Sequence, residues 1–271
     1  MAATIIEVSD PLDERLADYR HLRDADIRRA MEGDAFLIAE GVAVVRRLAV
    51  SGLTIRSVLL TPQRLATMFP SVSHLDCPVY VAPPEVVAGT AGFNLHRGVI
   101  AAAERPRPLS LDDVFTREPL NGRHIRLAAL EGVNDHENLG AIARACRAFG
   151  VDALVLDPGC ADPFYRRAVR VSMGEILFLP VVRASMDEVI EGCAKHGGAT
   201  WALTPADDAD DIRECAHGSF GPLALLLGAE GPGLAATTML AASRRVRIDI
   251  SSDVDSLNVG HAAAVAFAFT A

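Results

Sequence analysis

Lys195 is the only lysine in this 271-residue chain, so every other basic side chain is arginine. That bias suits planar recognition of phosphates and bases, and it equally fits a GC-rich genome. Also missing is any C-x-x-C pair: Cys77, Cys146, Cys160, Cys193 and Cys215 form an odd, scattered set. A disulfide framework and a zinc site are both unsupported, and the cysteines read as reduced structural thiols. No basic segment leads into an apolar run in MAATIIEVSDPLDERLADYR, so no secretory signal is expected. The longest apolar stretch, VGHAAAVAFAFTA, is too short to cross a bilayer, and it holds His261 near its start. There is no internal repeat, and the acidic residues are not grouped as metal ligands. These absences predict a cytoplasmic protein with neither membrane span nor metal.

What is present is a globular composition, 50% hydrophobic and 23% charged. The net charge of −9 excludes a protein that coats nucleic acid through bulk electrostatics, while leaving room for a local basic patch. Residues 1–110 carry 12 basic and 13 acidic side chains and the remainder 14 and 22, so the acidic excess lies in the second half.

From Asp10 to Glu32 the spacing of Leu12, Leu16, Tyr19, Leu22 and Ile27 predicts a surface helix. Its arginines, Arg23 among them, are either a solvated face or an RNA contact. FLIAE, VAVVRRLAVSG, SVLLTP, VYVAP and GVIAAA then alternate as a small α/β unit. This first domain is placed at 1–105. The segment 106–122, rich in proline and charge, reads as a linker, and 123–271 as a second domain.

In that second domain IRLAALEG, ALVLD, LPVVRA, TWALTP, LALLLG and RVRIDI read as buried strands of a parallel sheet with helices on both faces. Functional residues of such sheets gather where strands end, which singles out three loops. EGVNDHENLGAIARACRAFG carries Asn138, Gly140 and Arg144, with Asn138 readable as a helix cap and Arg147 as solvated. LLLGAEGPGLAA sets Gly228, Gly231 and Gly233 around Glu230, either a tight turn or a close approach to a ligand. DISSDVDSLNVGHAAAVAFAF puts Ser256 and Asn258 at the mouth of the last helix, where serine is ordinarily a cap. The DDADD run reads as a solvated loop. Arg166, Arg167 and Arg170 share a short segment on which Arg166 and Arg170 fall on one helical face, for a phosphate or for a salt bridge.

Gly231, Gly233 and Ala236 also match the weak G-x-G-x-x-A dinucleotide fingerprint. A nicotinamide enzyme is rejected on position, because only one strand and one helix follow, too few for a dinucleotide domain. The three loops together resemble the motifs of the SpoU/TrmH family of RNA ribose 2′-O-methyltransferases, in the SPOUT class. N-x-G-x-x-x-R with a following F-G is met by Asn138, Gly140, Arg144, Phe149 and Gly150; G-x-E-G-x-G-L by Gly228 to Leu234; S-L-N-V by Ser256 to Val259. DPFYRRAVRVSMGEILFLPV and the front-half segments FLIAEG and HRGVIAAA extend the likeness over nearly the whole chain. Two positions depart from the pattern: Asp135 stands where many relatives have proline, and Gly260 where many have serine.

The resemblance implies an α/β fold: a small RNA-binding domain, then a parallel-sheet domain with a deep trefoil knot, paired as a homodimer. It implies S-adenosylmethionine as cofactor, held by Gly228, Ile248, Leu257, Thr204 and Gly233. Arg144 is implied to act on a ribose 2′-hydroxyl, as a transient base or as a cation, with Asn138, Glu230, Ser256 and Asn258 positioning the groups. RNA contacts are expected at Arg23, Arg166 and Arg170. Ribosomal RNA is the expected substrate; transfer RNA, or a non-catalytic RNA-binding protein of the same fold, are the alternatives.

Overall fold

Short apolar strands and amphipathic helices alternate along the chain and sort into two sheets. The computed structural model describes residues 3–22, 33, 35–95, 97–120, 122, 124–215, 221–251 and 253–271. In chain order the first elements are β1 (Thr4–Glu7), β2 (Phe36–Glu40), α1 (Val42–Ala49), β3 (Ile55–Leu60), α2 (Pro62–Val72), β4 (Pro78–Val81), α3 (Pro84–Ala91) and β5 (Val99–Glu104). Next come α4 (Leu111–Phe115), β6 (Arg126–Glu131), α5 (His136–Ala148), β7 (Ala153–Leu156), α6 (Arg166–Val171), β8 (Val181–Arg183), α7 (Met186–Lys195) and β9 (Ala199–Leu203). The last are β10 (Asp210–Asp211), β11 (Leu223–Gly228), α8 (Ala236–Ala241), β12 (Arg244–Arg247) and α9 (Val259–Phe269).

Two compact units result, Met1–Pro106 with Phe164–Leu177, and Arg107–Pro163 with Phe178–Ala271. The first holds a mixed sheet in the order β1-β4-β3-β5-β2, with β1, β4 and β3 parallel and β5 antiparallel to both its neighbours. Pro62 and Pro84 stand at the starts of α2 and α3, where the missing N–H costs nothing. The helix expected over Asp10–Glu32 is not what the described part forms: Glu14–Tyr19 is a short 3-10 helix of six residues. Leu16, Tyr19 and Leu22 are buried by it, and the buried Tyr19 hydroxyl bonds Ser57 at 2.7 Å. Arg15 and Arg20 face Asp13 and Glu14, while Arg23 lies outside the described residues.

Segment 164–177 follows the motif-bearing α5 in sequence yet belongs by its contacts to the first unit. An ion pair ties it there: Glu40, buried at the end of β2, takes a hydrogen bond from the Arg166 guanidinium, which also donates to the Leu22 carbonyl at 3.2 Å. Breaking such a pair leaves a charge without its counterion. Glu40→Gln is therefore expected to lower unfolding stability by about 2 kcal/mol, read as a shifted urea midpoint; an unmoved midpoint would show the pair to be dispensable.

The second unit is a seven-stranded, all-parallel sheet in the order β10-β12-β9-β11-β6-β7-β8. Strands β6, β7 and β11 are buried along nearly their whole length, which is why they read as unbroken apolar runs. One arginine interrupts this: Arg126, 3% exposed, donates to the carbonyls of Phe149 and Gly150 after α5 and to Phe267 of α9 at 3.3 Å. It ties the last turns of two helices that otherwise leave carbonyls unpaired.

Two expectations change here. The linker 106–122 contains an ordered helix, α4, with a capping box between Ser110 and Asp113, and Val114 is buried in the core of the second unit. Five residues cannot display a helical period, so the apolar pattern gave no sign of it. The DDADD run is a solvated turn at Asp207 and Asp208 but not at its end: Asp210–Asp211 form β10 at the sheet edge beside β12, and Asp208 and Asp210 pair with Arg245 and Arg244 at 2.7 and 3.6 Å. Arg213 holds the Asp211 carboxyl at about 2, well below the usual range. All five cysteines are free; burial pushes the thiols of Cys160 and Cys193 up to about 12 and that of Cys77 to about 11. The strand order and the packing of α9 on α5 are compatible with knotted threading.

Candidate active site

Because every strand of the second sheet runs the same way, the loops after β6, β9, β11 and β12 all leave from one edge. Register sets their level: Gly228 pairs with Glu131, and Val246 with Leu203. A pocket of about 420 Å³ opens at that edge, within the size range of small-ligand sites. It is lined by Gly228, Gly233, Thr204, Ile248 and Leu257, all five residues expected to hold a cofactor, and by Glu230, Ser256 and Asn258. Leu203, Pro205, Ile250 and Ala262 also line it without having been singled out, since apolar residues at strand ends carry no distinctive pattern.

The glycine loop is a close approach of backbone to backbone. Gly233 N–H donates to Ala229 O at 2.9 Å, so the loop folds back over the end of β11. A Cβ on Gly228 would collide with the backbone of Gly233 and Leu234. Gly231 and Gly233 hold φ of 87° and 70°, the left-handed region that costs other residues energy. The loop is pinned from β6: Glu131 accepts from Ala235 N–H and from the Thr238 hydroxyl, both at 2.8 Å. Glu131 escaped the sequence reading, although a carboxylate closing an apolar strand was a signal.

Asn258 joins the three loops. Its Nδ2 donates to Asn138 Oδ1 at 2.7 Å and to Glu230 Oε1 at 2.5 Å, while its Oδ1 accepts from Gly260 and His261 N–H. One amide thus caps α9 and holds one residue from each of the other two motifs. The caps fall elsewhere than the simple readings had them. Asp135, not Asn138, caps α5 by accepting from Glu137 and Asn138 N–H, and Asn258, not Ser256, caps α9. Asn138 is thereby free to present its side chain to the site, and the acid in place of proline has a structural task. Gly260 lies where α9 meets α5; a Cβ there would stand 3.2 Å from Ala141 Cβ. Asn258→Ala should lower stability by about 1 kcal/mol through the lost cap, measured by urea denaturation, and an unaltered midpoint would refute the capping role.

Arg144 lies on α5, exposed, with no side-chain hydrogen bond among the described residues, and outside the pocket lining. Arg147, expected to be solvated, instead stacks over Phe178 at 5.9 Å. Arg166 is committed to Glu40, and Arg170 makes a longer ion pair of 4.0 Å with the same carboxylate, so both take part in a salt bridge. Among the described residues no group of His, Cys, Asp or Glu is placed to hold a metal, and no helix is long and apolar enough to cross a membrane.

Comparison with known proteins adds the following. The profile described as the SpoU rRNA Methylase family matches residues 126–268. A protein named as an uncharacterized tRNA/rRNA methyltransferase from Mycobacterium bovis is 44% identical over 264 residues, spanning 96% of this chain and 90% of its own. A 23S rRNA (guanosine-2′-O-)-methyltransferase from Ralstonia nicotianae is 30% identical over 187 residues, 68% of this chain and 72% of its own. The crystal structure of an AdoMet-bound rRNA methyltransferase from Sinorhizobium meliloti superposes with a TM-score of 0.79 at 24% identity, covering 98% and 97% of the two chains, which shows the fold.

Proposed function

Because the chain belongs to the SpoU rRNA methylase family, an RNA methyltransferase family, we propose that it methylates a ribose 2′-hydroxyl of RNA with S-adenosylmethionine as donor. The observation that carries this is the Asn258 amide, which gathers Asn138 and Glu230 beside a pocket of cofactor size. The residues present fit the cofactor: apolar walls from Ile248 and Leu257 for an adenine ring, and a backbone-lined floor at Gly228 and Gly233. Thr204 adds a hydroxyl at the rim. Backbone groups there can read base edges without particular side chains.

When bound, S-adenosylmethionine supplies an electrophilic methyl on sulfur. The protein's tasks are to align the 2′-oxygen with it and to manage the oxygen's proton. Arg144 acts as a cation that stabilises the negative charge left on the 2′-oxygen as its proton departs to solvent, since a guanidinium ordinarily stays protonated. Asn138, Glu230 and Ser256 orient the hydroxyl and the arginine, with Asn258 holding the first two in place.

Ribosomal RNA is the proposed substrate, supported by the family's description and by the Ralstonia relative's name, and Arg170 is proposed to contact it. The protein works in the cytoplasm as a homodimer. Support for the dimer comes from the apolar α9 and from Phe269 and Leu240, 52% and 85% exposed. Light scattering should give twice the chain mass, and Phe269→Glu should give monomer; a monomeric parent would remove the dimer from this reading. The activity is tested with tritiated S-adenosylmethionine and deproteinised ribosomal or transfer RNA. A 2′-O-methyl group blocks alkaline cleavage of the adjoining phosphodiester, so the label is expected in alkali-resistant dinucleotides of ribosomal RNA. Label confined to transfer RNA would reverse the substrate, and label in bases would overturn the ribose assignment.

A further inference from the structure

The first unit contains a cleft of about 780 Å³ that the site above does not use. Among the described residues, three guanidiniums, those of Arg97, Arg166 and Arg170, border it against one carboxylate, that of Glu40. Such a surplus is notable in a chain whose net charge is −9, because like charges gathered in a concavity repel unless an anion joins them. Arg166 is already bound to Glu40. Arg170 shares that carboxylate in a long ion pair of 4.0 Å without a hydrogen bond, and the Arg97 guanidinium has no hydrogen-bond partner among the described residues. Gly41 makes room for Arg97: a Cβ there would stand 2.8 Å from Arg97 Cδ.

The remaining lining is what an unstacked base needs. Phe93, half-buried, carries the Arg166 guanidinium 5.1 Å above its ring, and Tyr165 offers a second aromatic ring. The exposed Asn94 adds an amide that can both donate and accept. A phosphate-binding cluster beside flat π surfaces is how single-stranded nucleic acid is held, whereas a duplex presents no free base face.

We propose that this cleft seats one unstacked nucleotide of single-stranded RNA. Arg97 and Arg170 meet its phosphate, Tyr165 and Phe93 flank its base, and Glu40 with Arg166 forms the fixed wall. The proposal rests on the RNA-methyltransferase reading and adds to it a second contact, built in the first unit.

The test is fluorescence anisotropy with a fluorescein-labelled single-stranded RNA 12-mer of mixed sequence, on the full chain. The Arg97→Ala, Arg170→Ala double variant should bind at least tenfold more weakly. The slope of log K against log salt should fall by about 1.4 for two lost phosphate contacts. Tyr165→Ala should weaken binding at least about fivefold and Tyr165→Phe should restore it. Calorimetric titration with S-adenosylmethionine, whose pocket lies in the second unit, should be unchanged in every variant and reports intact folding. Equal RNA affinity of parent and double variant overturns the cleft while leaving the methyltransferase reading intact. Competition by the matching duplex as effective as by the single strand overturns the unstacked nucleotide. A parent that binds S-adenosylmethionine but no RNA overturns both readings.

Discussion

Replacing Gly228 by alanine is expected to weaken S-adenosylmethionine binding at least about a hundredfold, equivalent to ~2.7 kcal/mol, in a protein that still folds. The reason is geometric. The added methyl would overlap the backbone of Gly233 and Leu234, so the loop must lift from the end of β11 and the pocket floor goes with it. Gly231→Ala is the comparison, because nothing lies within 4 Å of its added Cβ and only the positive φ is strained. It should cost about 1 kcal/mol, roughly a fivefold loss. Calorimetric titration reads both, with circular dichroism as the check on folding. Parent-like affinity in Gly228→Ala would place the cofactor elsewhere.

The second large effect concerns Arg144. Arg144→Ala should lower kcat by about 10²–10³-fold, the range for removing one group that stabilises transition-state charge. Affinity for S-adenosylmethionine should stay within about twofold, since Arg144 does not line the pocket. Arg144→Lys keeps a positive charge without the planar fork, so it should retain more activity than alanine. Single-turnover methylation separates the chemical step from RNA binding. Equal rates for parent and alanine variant would exclude any part for Arg144 in the reaction.

Much of this site could be read from residue order alone. The motif residues sit on α5, which follows β6, at the end of β11 and at the start of α9, next to where the apolar runs stop. Short spacings suffice for that, because strand ends and helix starts are local. The roles of individual caps were less accessible. Asp135, Asn138, Ser256 and Asn258 are all acceptable capping residues by type, and only the hydrogen bonds single out Asp135 and Asn258 as the caps, the latter also bonding across the site. Likewise Arg126 reads as an anomaly in an apolar strand until its carbonyl partners, 23 to 141 residues away, are known.

Residue order alone specified the alternation of strands and helices, the parallel character of the second sheet and the three motif segments that Asn258 joins. Each depends on periodicity or composition within about ten residues. The tertiary structure alone decided that segment 164–177 belongs with the first unit, that Arg166 serves Glu40, and that Asn258 joins the three motifs. The physical reason is common to all three: the partners lie 28 to 126 residues apart. A hydrogen bond or ion pair over such separations is set by how the sheets assemble, and no local pattern encodes it.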